Sequence, residues 1–178
     1  MTEVLVYDDI LGKTIKRIGT NVKAFHDSRY FDQEGWGQVG ETVFFASKLK
    51  CSELGDTKEA QTVIFEFTDG TKFLLFHIQD CCEGVWLEDI DGDIDDLVGS
   101  PLVMAESVTE NERDEYGDSF TWTFIKFGTT KGSITMRWFG TSNGWYSEDV
   151  DFALFDPEIE LIWEHQYEEH NENLQIQS

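Results

Sequence analysis

The residue types most able to do chemistry crowd into one short stretch. His77, Asp80, Cys81, Cys82 and Glu83 bring together an imidazole, two thiols and two carboxylates. A zinc site would use the imidazole and the thiolates, but structural zinc takes four ligands, usually from pairs such as Cys-x-x-Cys. His77, Cys81 and Cys82 are the weak candidates here, and Cys51, His26 and His165 lie far away in sequence. A thiol nucleophile would give its proton to His77, with Asp80 orienting the ring. Residues on one short loop rarely hold that geometry. The plainer reading makes both cysteines small buried hydrophobes at a strand end. Three cysteines leave at least one unpaired in a monomer, and Cys81 and Cys82, being adjacent, are not expected to bridge each other.

The run Asp89, Asp91, Asp93, Asp95 invites a calcium reading. An EF-hand loop needs Gly at its sixth position and Glu at its twelfth. Counted from Asp89, the glycine falls too early, at Gly92, and Ser100 takes the place of the glutamate. The alternative is a turn whose aspartates cap backbone N–H groups. No Gly-rich phosphate loop, Walker motif or Gly-x-Ser-x-Gly is present. The expectation is a binding protein with no cofactor, rather than an enzyme.

The elements that must position these residues read as β-structure. Thr62–Phe67 and Lys72–His77 are β-branched and aromatic runs joined by Thr68-Asp69-Gly70-Thr71, a hairpin signature. Phe120–Phe127 and Ser133–Trp138 form a second hairpin around Gly128–Gly132. Gly144–Leu154 reads as a further strand, Thr42–Ala46 as another, and Glu158–Trp163 as a last strand or short helix. Asp8–Ile18 and Asp93–Val98 carry the helical signals. The Gly35-Trp36-Gly37 loop, Lys48–Ala60 and residues 107–119 read as irregular, the last as a polar surface loop. Shifted by sixty residues, 62–91 lies over 122–151, with Phe67, Gly84, Glu88, Asp89 and Asp91 matching Phe127, Gly144, Glu148, Asp149 and Asp151. The fold expected is α+β and β-dominant. Antiparallel sheets are built from two meander units, with one or two short helices. Residues 1–165 form one globular domain, and 166–178 an acidic flexible tail.

Charge bounds the partners. The chain has 178 residues and a formal net charge of −23. Residues 73–112 hold eleven Asp and Glu and no Lys or Arg. Nine of the thirteen basic residues lie between Lys13 and Lys72, and none follows Arg137. Such a field repels nucleic acid and anionic membrane and attracts basic surfaces. The N-terminus lacks the basic and apolar regions of a signal peptide, and no apolar run reaches the ~20 residues of a membrane span. A reducing, cytoplasmic setting is expected.

Several blocks carry a resemblance. His77-x-x-Asp80-Cys81-Cys82-Glu83 is followed by Glu88-Asp89-Ile90-x-Gly92-Asp93 and Asp96-Leu97-x-Gly99-x-Pro101. Thr121-Trp-Thr-Phe124, Arg137-Trp138 and Ser147-Glu-Asp-Val-Asp-Phe152 come later. Together they resemble a family of small uncharacterised proteins of bacteriophages and prophages, over roughly residues 60 to 155. The N-terminal part with Trp36 lies outside that region. The resemblance implies a setting, not a mechanism: small acidic phage proteins are often inhibitors or sponges acting against host defence. The function expected is to inhibit or sequester a basic, nucleic-acid-handling host protein such as a CRISPR effector, by acidic mimicry. A homo-oligomer is compatible with it. The contact residues expected are Glu88, Asp89, Asp91, Asp93, Asp95 and Asp96, with Glu148, Asp149 and Asp151. The alternative is a pocket for a nucleotide or metabolite. The loop 139–146, with Asn143 and Trp145, and the loop Asp80–Glu83 would line it, since Gly, Ser, Asn and aromatics make adaptable recognition loops.

Overall fold

The computed structural model describes residues 4–20, 43–45, 48–50, 62–78, 80–158 and 162–164. Strands dominate them, and the only helical elements among these described residues are two 3-10 turns, Asp8–Ile10 and Ile94–Leu97. The strands are β1 (Val4–Val6), β2 (Ile15–Thr20), β3 (Val43–Phe45), β4 (Lys48–Lys50), β5 (Thr62–Phe67) and β6 (Lys72–Phe76). They continue with β7 (Glu83–Asp91), β8 (Met104–Arg113), β9 (Ser119–Gly128), β10 (Ser133–Ser142), β11 (Asp151–Phe155) and β12 (Ile162–Glu164).

Two five-stranded sheets result. One runs β1-β8-β9-β10-β7 and the other β3-β2-β5-β6-β11, while β4 and β12 form a separate pair. All pairings between the described strands are antiparallel except β2 with β3, and the isolated bridge of Ile15 with Val98 is also parallel. The two hairpins behave alike. β5 and β6 lie in one sheet, and the next strand, β7, joins the other beside β10. β9 and β10 lie in that other sheet, and the next strand, β11, returns to the first hairpin beside β6. Each hairpin thus donates its third strand to its counterpart.

Alternation in the strands explains the packing. In β5 and β6 the pairs Val63 with Leu75 and Phe65 with Phe73 share one face and are buried. In β9 and β10 the inward positions include Ile125, Phe127, Ile134, Met136 and Trp138, all nearly inaccessible. These two faces make one core, in which the rings of Phe65 and Phe127 meet edge to face at 4.7 Å. The remote face of the second sheet carries a smaller cluster, Ile64, Leu74 and Phe76.

Several elements differ from the sequence reading. Residues 107–113 are not loop but the second half of β8. Its run Ser107-Val-Thr-Glu-Asn-Glu-Arg113 reads as polar because the row that starts at the buried Ala105 and Ser107 continues through Thr109 to the exposed Asn111, and Glu110 and Glu112 alternate with it on the other face. Asp8–Ile18 gives one 3-10 turn and then β2, with Ile15 and Ile18 pointing into the core as strand residues. The strand read from Gly144 begins only at Asp151, and Lys48–Lys50 is a strand rather than irregular. Glu158–Trp163 resolves towards strand, in β12. The Trp36 loop, the rest of Lys48–Ala60 and the acidic tail lie outside the described residues.

Candidate functional site

Three acidic corners surround the first sheet. The first joins the end of β6, the turn before β7 and the loop before β11. His77 is 5% exposed there. Its Nδ1 lies 2.8 Å from the Asp149 carbonyl oxygen. A carbonyl only accepts, so Nδ1 carries the hydrogen. Nε2 then faces Glu83 Oε1 at 3.6 Å, with both side chains almost fully buried. Neither Nε2 nor Glu83 Oε2 has a hydrogen-bond partner among the described residues. With a proton on Nε2 this contact is an ion pair; without it, two sets of lone pairs confront each other. Glu83 Oε1 also accepts from the Asp80 amide, and Asp80 Oδ1 accepts from the Cys81 amide at 2.8 Å. Burial pushes the nearby Asp151 carboxyl up, the His77 side chain opposes this, and Asp149 adds to it.

This corner corrects the reading of the cysteines. Cys81 and Cys82 are joined to each other by a disulfide and are exposed rather than buried. Cys82 sits at φ 70°, the only non-glycine residue with positive φ among the described residues. Among the described residues, no group of three His, Cys, Asp or Glu side chains is placed to hold a metal.

The second corner is a nest of hydroxyls under the loop 143–150. Glu148 is buried and accepts hydrogen bonds from Ser119, from Ser142 at 2.6 Å and from Thr121 at 2.5 Å. Gly140 on β10 lets the loop approach, since a Cβ there would lie 2.7 Å from Glu148 Cβ. Asn143 shapes the loop by accepting from the Trp145 amide at 3.1 Å, and Trp145 projects outward, 89% exposed. Glu148 is therefore an internal anchor and adds no surface charge.

Burial would raise the Glu148 carboxyl, but the hydroxyls of Ser119, Ser142 and Thr121, aided by Arg113, outweigh it and hold the group below its usual value. A depressed folded value means stability that is present above the unfolded value of about 4.3 and is lost as pH falls through the folded one. The stability difference between the native chain and Glu148→Gln should therefore stay constant from pH 7 to about pH 5 and narrow towards pH 3. Urea unfolding at each pH measures it. Asp95 and Asp151 are shifted the opposite way, but they titrate in both proteins and cancel. A difference flat down to pH 3 would show that the hydroxyls do not hold an ionised Glu148.

The third corner is the end of β7 and the turn after it. Asp93 caps the 3-10 turn by accepting from the Asp95 amide at 3.1 Å, as the capping reading expects. Burial raises the Asp95 carboxyl, the charges of Asp93 and Asp96 raise it further, and Lys131 opposes them. Asp89, Asp91, Asp93 and Asp95 are exposed, and Glu88 is held by Arg137 at 3.0 Å. The two acidic stretches of the sequence are thus divided. Asp80, Glu83, Asp149 and Asp151 gather at the start of β7. Asp89 to Asp96 gather at its end, about 26 Å away at ~3.3 Å per residue.

The family model of DUF7448, a domain of unknown function, matches residues 8–152. The chain belongs to the DUF7448 family. Comparison with curated proteins and with solved structures finds no match. The DUF7448 match begins at Asp8, so the 3-10 turn and β2 belong to the shared domain, which starts well before the region where the sequence resemblance was placed. It ends at Phe152, within β11, and so spans both hairpins and all three corners. Among the described residues of this DUF7448 domain, no helix is long and apolar enough to cross a membrane.

Sequence reasoning missed part of the surface. Trp86 and Trp122 are absent from the expected contact residues and Phe139 enters only with the loop 139–146, yet all three lie on the outer face of the first sheet, partly accessible. Their alternation with Val85, Leu87, Thr121, Thr123 and Trp138 is visible in the sequence, but it does not say which parity faces the core.

Proposed function

We propose that this protein is a non-enzymatic, cytoplasmic binding protein that inhibits or sequesters a basic, nucleic-acid-handling partner. In a bacteriophage setting the partner would be a host defence factor such as a CRISPR effector. The observation that carries this reading is the corner at the end of β7. Six carboxylates, Glu88, Asp89, Asp91, Asp93, Asp95 and Asp96, fall within nine residues. The described cations beside them are Arg137, bound to Glu88, and Lys131, bound to the Val98 carbonyl. Like charges this close repel one another, and a basic surface relieves that repulsion on binding.

Individual rim pairs contribute ~1 kcal/mol or less, so the test changes several at once. The immobilised chain and a variant with Glu88, Asp89, Asp91 and Asp93 all changed to Lys are exposed to host lysate at low and high salt. The native chain should retain a basic protein at low salt and release it at high salt, because opposed charges are screened beyond ~8 Å at physiological ionic strength. The variant should retain none of it. Identical retention by both, unchanged by salt, would assign the acidity to solubility alone. A second reading has one observation in its favour: the loops 80–83 and 143–150 meet at the His77 corner. A nucleotide or metabolite retained in native mass spectrometry, and lost with Trp145→Ala, would favour that pocket instead.

A further inference from the structure

The register of the first sheet shows what its outer face offers. Trp122 lies beside Phe139, and Phe139 beside Trp86, on three successive strands. The rings are in contact, with Trp86 and Phe139 at 5.0 Å, Trp122 and Phe139 at 5.2 Å, and Phe120 stacked on Phe139 at 6.3 Å. None is fully buried, and Trp86 is 37% exposed. Carboxylates stand on both margins of this row. Glu110 pairs with Trp122 and Glu112 with Phe120 on the β8 side, while Glu88, Asp89 and Asp91 line the β7 side.

We propose that this aromatic row is the centre of a docking surface for a protein segment that carries apolar side chains flanked by Lys or Arg. The inference rests on the basic-partner reading above and states what the partner's contacting segment looks like. Rings take apolar groups by burial and cations by their electron-rich faces, and the margins take the remaining cations. Charge decides against other occupants. The face carries Glu88, Asp89, Asp91, Glu106, Glu110 and Glu112 against Lys126 and Arg137, an excess of four negative charges. A second copy of the chain would set that excess against itself. Nucleic acid and anionic lipid meet the same repulsion, and a neutral sugar leaves the carboxylates without counter-charge.

The test uses two synthetic peptides of equal length and charge, one of Lys and Leu, the other of Lys and Ser. Each is titrated calorimetrically into the full chain at physiological salt. The Lys/Leu peptide should bind on the order of 10-fold tighter or more, the scale of a central aromatic contact. The double change Trp122→Ser with Phe139→Ser should abolish that advantage and leave the Lys/Ser affinity unchanged. Trp86→Ser, at the most exposed ring of the row and with no change of charge, should reduce the Lys/Leu advantage and leave the Lys/Ser affinity unchanged, so a misfolded double variant does not leave the matter open. Equal affinities that ignore the aromatic substitutions would overturn the docking surface and leave the acidic reading standing. Absence of salt-dependent binding by either peptide would remove both. Sedimentation showing a native dimer that Trp86→Ser converts to monomer would assign the face to a second copy and overturn the inference.

Discussion

Replacing Phe127 with Ala should lower the unfolding free energy by about 3–5 kcal/mol, a large share of what a domain of this size has. Phe127 is completely inaccessible on β9 and is the ring through which the two sheets meet. It touches Phe65 at 4.7 Å, Phe73 at 6.2 Å and Tyr7 at 6.3 Å. Its removal leaves a cavity that rigid strands on both sides cannot close. Phe124 sits on the opposite face of the same strand and is partly accessible, so Phe124→Ala should cost markedly less. Urea denaturation of the two variants makes the comparison. Equal costs would mean that the sheets do not pack through Phe127.

Gly140→Val should cost about 2–4 kcal/mol, through overpacking and through the hydroxyls it strands. A side chain at 140 would collide with Glu148 Cβ and with its carbonyl oxygen, at 2.7 and 2.9 Å. The backbone of β10 cannot retreat, because β9 and β7 flank it. The loop 143–150 must lift instead, which takes the carboxylate away from Ser119, Thr121 and Ser142. Because the two changes break the same contacts, Gly140→Val combined with Glu148→Ala should cost less than the sum of the single changes. Strict additivity in urea melts, or a Gly140→Val variant as stable as the native chain, would show that the loop does not rest on β10.

Much of the fold was legible where local chemistry dictates it. The Asp69-Gly70 turn and the alternation of Val63, Phe65 and Phe67 define a hairpin with no knowledge of the rest of the chain. β8 was illegible because its inward row passes from Ala105 to Ser107 and Thr109, small hydroxyl residues with no apolar signal, and ends at the exposed Asn111, which accepts from Thr121. The helix read near Asp8 failed because the spacing of three between Ile15 and Ile18 fits a helix face, and a strand accommodates it only through the bulge between Ile15 and Arg17, where pairing with Phe67 and Phe65 decides. At the candidate site, the gathering of His77, Glu83 and Asp149 depends on strands distant in sequence. The exposure of Trp86 and Trp122 depends on which face of each strand ends up covered. Neither is written in a local window.

The reciprocal donation of β7 and β11 bears on how the molecule is assembled. Neither hairpin can complete its own sheet, so no contiguous half of the chain is an independent unit. A nascent chain that has reached Asp91 has made one hairpin and a strand whose neighbour, β10, is not yet synthesised. Only when Asp151–Phe155 emerges can the other sheet gain its β11 edge. Pairings of such long sequence separation make for slow, all-or-none folding. They also mean that a break in the chain between the hairpins separates two pieces, each of which carries a strand the other needs.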